Sequence, residues 1–465
     1  MEERGHPPQQ YIIDQRRMHV IVLQKLYRPA VFMLMLGLLF LWHRTVRMAG
    51  LPRSGRDALG IFLVCAVLWI ARIVPPAITG FTGIALLIVS RALTPGEVYP
   101  MFFSEPVFFI LSAFALAAGM RKTGLAKRIA VRFISSGKGL PIRMRLYTMS
   151  AFLSMMMPEH AVAAMLIPVV LETGSGFTKG DLIGVMWGAQ IGGIATLLGG
   201  ARGPLTIAIL KATKGIDISF LQWSIYALPV FLLIFVPGYF VLTMFFREES
   251  SRSLHMDRYP GVMRFEEIAM LIIMALTIIG WVKYGSSIGL AGVGLIAMTV
   301  LFLFGILKTE DLTRRIDWSV ILMYGGAIAV GLALKKTGAA VWIGSRSTGI
   351  FSSGTLAIML LSLTAVVMTE FVSHSTVVAA LLPVALGVAD TIGLEPRIMC
   401  MGLALASGMA FIFPFATPGN LLAYSSGALR LKDLALPGFI MICVSMFALF
   451  LAVKVFWPLL LYKNI

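Results

Sequence analysis

Apolar residues run through this chain in blocks too long and too continuous for a soluble fold. With about 20 mostly apolar residues taken as one membrane crossing, spanning helices are expected near 29–43, 57–74, 76–93, 100–120, 181–212, 222–246, 265–284, 287–307, 318–334, 397–427 and 434–462. Two more apolar stretches, 141–171 and 352–390, exceed a single crossing. Each is interrupted at its middle, by Pro158-Glu159-His160 and by Ser373-His374-Ser375. Such a pattern describes two short helices meeting at a tip, either a re-entrant hairpin or an ordinary helix pair with a short loop. The spans 181–212 and 397–427 are broken as well, by Gly199-Gly200-Ala201-Arg202-Gly203-Pro204 and by Thr417-Pro418-Gly419-Asn420. Unwound backbone at membrane depth is tolerated only where protein buries it or where it lines a cavity. The expected fold is an all-α integral membrane protein with about eleven transmembrane helices and two re-entrant hairpins.

Composition supports this reading. Of 465 residues, 58% are hydrophobic and 13% charged, against about 25% charged in soluble domains. A soluble enzyme and a disordered chain are both excluded. The net charge of +17 does not point to nucleic acid, because the Lys and Arg residues sit between apolar runs, as in membrane proteins with positive cytoplasmic loops. Arg4, Arg16, Arg17, Lys25 and Arg28 mark a cytoplasmic N-terminus, and residues 121–145 hold eight Lys or Arg and no acid. The loop 44–56, with Arg44, Arg47, Arg53 and Arg56, breaks that rule if it faces outside. The three cysteines, Cys65, Cys400 and Cys443, lie in apolar stretches and read as buried packing residues. No HExxH, P-loop or zinc spacing occurs.

The chain repeats itself. Gly119-Met120-Arg121-Lys122-Thr123-Gly124 is echoed by Ala333-Leu334-Lys335-Lys336-Thr337-Gly338, an offset of 214 between Lys122 and Lys336. Ala163-Ala164-Met165-Leu166-Ile167-Pro168 is echoed by Val378-Ala379-Ala380-Leu381-Leu382-Pro383, an offset of 215 between the prolines. The breaks at Gly200 and Thr417 follow at 217. An odd number of crossings before the second copy inverts it. Inverted repeats with matching broken helices point to a secondary transporter with its site near the midplane. The expected organisation is an N-terminal cytoplasmic segment and first helix (1–56), a first repeat (57–246) with its tip near 158–160, a polar linker (247–264), and a second repeat (265–465) with its tip near 373–375.

Glu159, His160, Arg202, Glu370 and His374 all fall in or beside the four interruptions. A charge at the membrane centre costs roughly 2.5–3.5 kcal/mol on insertion scales, so such groups usually face a cavity or a partner. Loop residues at the water interface are the plainer alternative. Hydroxyls at Ser373, Ser375, Thr376 and Thr417, the Asn420 amide and freed backbone N–H groups suit an anion, helped by helix N-termini. The Arg202 fork suits a carboxylate, sulfate or phosphate, or else a structural pair with Glu159 or Glu370.

At these residues the chain resembles the divalent anion/sodium symporter family, which moves dicarboxylates, citrate or sulfate. That family carries Ser-Asn-Thr motifs at two hairpin tips and Thr-Pro-Pro-Asn-like motifs at two helix breaks. Thr369-Glu370-Phe371-Val372-Ser373-His374-Ser375-Thr376 is similar to the second tip, with His374 for Asn and Ser375 for Thr. Ala416-Thr417-Pro418-Gly419-Asn420 is similar to the second break, and Ile191–Gly199 to the stretch leading into the first. The resemblance covers residues 57–430. It departs at the first tip, Pro158-Glu159-His160, and at the first break, Gly200-Ala201-Arg202-Gly203.

The resemblance implies substrate binding at Glu159, His160, Arg202, Ser373, His374, Ser375, Thr376, Thr417, Pro418, Gly419 and Asn420. It implies a coupling cation or proton at Ser154, Glu159, Thr369, Glu370, His374 and Ala416, with sodium at Ser154 and Glu159. It also implies a homodimer in a lipid bilayer and alternating access in an elevator-like manner by moving parts at 108–215 and 320–430, while the compact chain with little extramembrane mass suggests a prokaryotic inner membrane as host. No cofactor is implied beyond sodium or protons.

The expected function is secondary active transport of small anions of the dicarboxylate, citrate or sulfate class. Because titratable groups replace the tip Asn residues, proton coupling or anion exchange is expected in place of sodium; an unperturbed imidazole titrates near about 6.5. Sodium-coupled symport is the first alternative. A cation/proton antiporter is disfavoured by the fixed charge of Arg202, and a non-transporting receptor predicts no flux.

Overall fold

A computed structural model describes residues 18–136, 140–171, 177–246, 261–347, 351 and 353–462. Most of the linker expected at 247–264, and the N-terminal segment 1–17, lie outside the described residues. Every regular element among the described residues is helical. Helix α1 (Met18–Thr45) lies against α2 (Arg53–Ile70), and α3 (Pro76–Val89) follows. A short α4 (Pro95–Val98) and a 3-10 turn lead into α5 (Glu105–Thr123) and α6 (Leu125–Ser136). Next come α7 (Ile142–Ser154) and α8 (Glu159–Leu171), then α9 (Lys179–Ala195), α10 (Arg202–Lys214) and α11 (Phe220–Phe245).

The chain then continues through ten more helices. It runs α12 (Phe265–Tyr284), α13 (Gly289–Leu303), α14 (Thr309–Arg315), α15 (Trp318–Lys336), α16 (Ala339–Ser347), α17 (Gly354–Thr369), α18 (His374–Thr391), α19 (Pro396–Ala406), α20 (Pro418–Ser425) and α21 (Leu431–Leu451). A π-turn and α22 (Trp457–Tyr462) end it. Packing between the two series is reciprocal: α3 meets α15 and α5 meets α13, while α8 meets α20 and α10 meets α18.

Among the described residues, seven helical stretches are long and apolar enough to cross a membrane, including Phe220–Phe245, Phe265–Tyr284 and Trp318–Lys336. The difference from eleven expected crossings has a physical origin. The spans read as 181–212 and 397–427 are each two helices, because the backbone leaves the helix at Thr196–Ala201 and at Ser407–Thr417. Three of the four hairpin arms, α7, α8 and α17, are also short, and α3 and α13 fall below full span length.

Close packing comes from small residues. In α9, Gly188 and Gly192 lie against the α7 backbone so tightly that an added Cβ would sit 2.4 Å from the Tyr147 carbonyl and 2.0 Å from that of Ala151. This is the four-residue small-residue spacing that lets membrane helices touch. Buried indoles donate to carbonyls, Trp281 to Leu290 at 2.9 Å and Trp457 to Tyr226 at 2.9 Å. Large apolar side chains such as Phe240, Leu276 and Phe447 stay exposed, the pattern of a lipid-facing surface.

Two expectations need correcting. Cys65 and Cys400 are buried, but Cys443 is exposed, because α21 turns that position away from the core. Arg56, counted above as a loop charge, is buried; it donates to the Val46 carbonyl at 2.8 Å and pairs with Asp57 at 3.0 Å. It therefore carries little weight as a topology signal.

Candidate functional site

The four interruptions meet. Pro158 ends the first tip, since the residue before a proline is pushed out of the helical region, and α8 starts at Glu159. The Glu159 N–H donates to the Gly199 carbonyl of the first break at 3.0 Å, so tip and break are joined through backbone. At the second tip, Ser373 has extended backbone (φ −65°, ψ 147°) and precedes α18.

Glu159 is the centre of a buried charge cluster. Its Oε2 accepts from Arg202 Nη1 at 3.0 Å, and its Oε1 lies 2.7 Å from His374 Nε2. The Nδ1 of His374 faces the Ser407 carbonyl at 2.5 Å. The Arg202 side chain is 2% exposed and that of Glu159 7%, so the pair is screened little by solvent. The guanidinium lies beside Gly200 of the first break and Gly408 of the second; a Cβ added at Gly408 would come within 2.8 Å of its Cζ. Its Nη2 is buried without a hydrogen-bond partner, a donor available to an anion. Tyr324 of α15 donates its hydroxyl to the Ala201 carbonyl, just before Arg202.

Glu370 faces the second break instead. Its Oε1 accepts from the N–H groups of Phe411 (2.8 Å) and Ile412 (3.1 Å), and its Oε2 from that of Phe413 (2.9 Å). From the other side, Asn420 Nδ2 donates to the carbonyls of Ala410 (3.4 Å) and Phe413 (3.2 Å). Asn420 Oδ1 accepts from Gln190 Nε2 of α9 at 2.7 Å, and Thr417 caps α20 through the Asn420 N–H at 3.1 Å. Gln190 was not singled out by the sequence, where it is one amide in an apolar helix with no spacing to mark it. Among the remaining candidates, the hydroxyls of Ser373 and Thr376 lie 2.8 Å apart. Ser375 and Ala416 are buried, and Gly419 packs on Ala163 of α8. His160 is exposed and lies near enough to Glu159 and His374 to feel their charges, but it makes no ion pair with Glu159, which Arg202 and His374 flank.

The oxygens that could hold a cation divide unevenly. A Cβ added at Gly193 would lie 2.6 Å from Glu159 Oε2, 3.1 Å from Ser154 Oγ and 3.1 Å from the Gly199 carbonyl. Three oxygens therefore converge where this glycine has no side chain, and Ser154 Oγ has no hydrogen-bond partner. Oxygen donors of this kind fit a hard cation such as sodium, although Arg202 shares one of them. At the second tip the Thr369 hydroxyl is likewise buried and unpartnered. There, however, both oxygens of Glu370 are engaged by backbone N–H groups and His374 stands where the family has Asn.

Residues 24–462 match the family model described as the sodium:sulfate symporter transmembrane region. The sodium-dependent dicarboxylate transporter SdcS of Staphylococcus saprophyticus is 27% identical over 435 residues, covering 84% of this chain and 83% of the relative. Its namesake in Staphylococcus aureus strain USA300 is 25% identical, covering 88% of each. Among solved structures, the YdaH transporter of Alcanivorax borkumensis superposes with a TM-score of 0.58 at 11% identity, over 88% of this chain and 99% of that one. MtrF of Neisseria gonorrhoeae superposes at 0.57 and 13% identity, over 80% and 84%. These two likenesses concern the fold alone. With one family model matching almost end to end, the chain belongs to the sodium:sulfate symporter family, that of the divalent anion/sodium symporters, and is a multi-pass membrane transporter rather than an enzyme.

Proposed function

We propose that the chain carries small divalent anions of the dicarboxylate or sulfate class across the cell membrane, coupled to sodium, by alternating access of an elevator-like part in a homodimer. The observation that carries the sodium assignment is the convergence of Glu159 Oε2, Ser154 Oγ and the Gly199 carbonyl around Gly193. The sodium dependence of the SdcS relatives supports it and outweighs the proton coupling or exchange expected from the tips. Reciprocal packing of the two helix series supports inverted repeats. The anion would be received between the second tip and second break, by Ser373, Thr376, Thr417 and Asn420, with the spare Nη2 of Arg202 beside it.

A second reading, anion exchange without sodium, is favoured by a different observation. His374 stands beside Arg202, with its Nδ1 2.5 Å from the Ser407 carbonyl and its Nε2 2.7 Å from Glu159 Oε1 but without a hydrogen bond's geometry. Protonated, it would with Arg202 give the site two built-in cations against one carboxylate. Uptake of labelled succinate, citrate and sulfate into proteoliposomes decides between them. A sodium gradient alone drives uptake on the first reading; internal unlabelled anion alone drives it on the second.

A further inference from the structure

The second break holds a site for a carboxylate that the protein fills itself. Three consecutive backbone N–H groups, at Phe411, Ile412 and Phe413, point at the two oxygens of Glu370 with donor distances of 2.8 to 3.3 Å. Consecutive N–H groups aimed at one point form an anion-binding concavity, and charge-assisted bonds of this kind are the strong ones. Glu370 is 3% exposed. It caps the first arm of the second hairpin, so its bonds run from tip to break. The contact is doubled by aromatic rings: Phe371, next in the chain, lies 5.2 Å from the ring of Phe413. On the far side of the same loop, Asn420 holds the carbonyls of Ala410 and Phe413.

We propose that Glu370 is a positioning residue for anion binding rather than a coupling group. Its carboxylate fixes the 411–413 loop against the second tip. This keeps Ser373 and Thr376 on the tip in register with Thr417 and Asn420 beyond the break. The inference rests on the proposed transport function for its consequence, but the self-filled concavity can be tested without transport.

The experiment compares wild type, Glu370→Gln and Glu370→Ala, purified and reconstituted. Gln keeps the volume but turns an NH2 toward N–H donors, so at least one of the three backbone groups loses its acceptor. The expected result is a KM for the transported anion raised about tenfold in Glu370→Gln with the maximal rate much less changed, the signature of weakened binding. In Glu370→Ala, formate supplied at tens of millimolar is expected to raise the melting temperature and restore uptake. Formate leaves wild type and Glu370→Gln unmoved, because their concavity is already filled. An unchanged KM in Glu370→Gln overturns the proposal, as does a folded Glu370→Ala whose melting temperature ignores formate. If Glu370→Ala does not fold, the Gln variant's KM decides. If wild type moves none of the anions, the transport reading fails, and the melting response of Glu370→Ala to formate still judges the site.

Discussion

Arg202 and Glu159 face each other across 3.0 Å in a site where neither side chain is more than 7% exposed. The pair ties the start of α10 to the start of α8, the first break to the first tip. Removing one partner of a buried ion pair costs about 3–5 kcal/mol, because the other charge is stranded, whereas removing both is often nearly neutral. Glu159→Gln and Arg202→Met are each expected to lower the melting temperature of the purified protein strongly. The double variant recovers most of that loss, while transport is lost in all three. Losses that simply add, measured as a double-mutant cycle, would mean that the two charges do not stabilise each other.

The sodium assignment has its own test in Gly193. An added Cβ falls 2.6 Å from Glu159 Oε2 and 3.1 Å from both Ser154 Oγ and the Gly199 carbonyl, so Gly193→Ala fills the space that the oxygens surround. The sodium concentration for half-maximal uptake is expected to rise about tenfold or more, a loss of roughly 1.4 kcal/mol in ion binding. Gly292→Ala is the control, since its added Cβ meets only Ile288 at 3.7 Å. A sodium curve unchanged by Gly193→Ala would sink the assignment.

What was legible beforehand follows from what a side chain reveals about its surroundings. The tips and breaks were readable because Pro158, Gly199-Gly200 and Pro418 come with charged or polar neighbours, unlike Pro229 and Pro237, which stay inside the apolar α11, and a charge at that depth needs a partner. The partner of Arg202 was readable only as a choice between Glu159 and Glu370, since spacing does not order the loops in space. The surroundings of Glu370 were hidden for a related reason. Its partners are backbone N–H groups, which no residue type announces. His160, next to Glu159 in the chain, points about 100° away on a helix and is exposed. Nothing in the sequence distinguishes Gly193 from Gly192. Gly192 does pack on Ala151, while its neighbour faces Glu159 instead.

The recurring Lys-Thr-Gly lysines form a reciprocal pair of links. Lys122 of α5 meets Asp311 of α14 at 2.6 Å, and Lys336 of α15 meets Glu97 of α4. Asp311 also accepts from Arg315 at 2.7 Å and from the Lys308 N–H at 2.8 Å. The Lys122 ammonium, first among these, draws the Asp311 carboxyl down from 3.8 to about 2. A lowered carboxylate contributes stability above its unfolded value and loses it as pH falls through the folded one. Asp311→Asn is therefore expected to melt roughly 2 °C below wild type at neutral pH, for a pair worth about 1 kcal/mol. That gap should close between about pH 4 and about pH 2. A gap that persists undiminished at the acid end would show that the charge of Asp311 is not what stabilises this contact.

One buried amide pair links the two broken helices. Gln190 and Asn420 are 2% and 0% exposed, and Gln190 Nε2 donates to Asn420 Oδ1 at 2.7 Å. Asn420 cannot turn its amide over without giving up its bonds to the Ala410 and Phe413 carbonyls, so its oxygen is committed to facing α9. Gln190→Met keeps the length of the side chain and leaves Asn420 Oδ1 without its donor, which costs about 1–3 kcal/mol for a buried acceptor. Gln190→Glu also loses the donor and sets a carboxylate against that oxygen. It is expected to melt lower than Gln190→Met and to bind the transported anion more weakly, because the second break is displaced. Thermal melting of the three proteins at neutral pH gives the order. If Gln190→Glu matches wild type, Asn420 presents its NH2 rather than its oxygen to α9, and the break is held by other contacts.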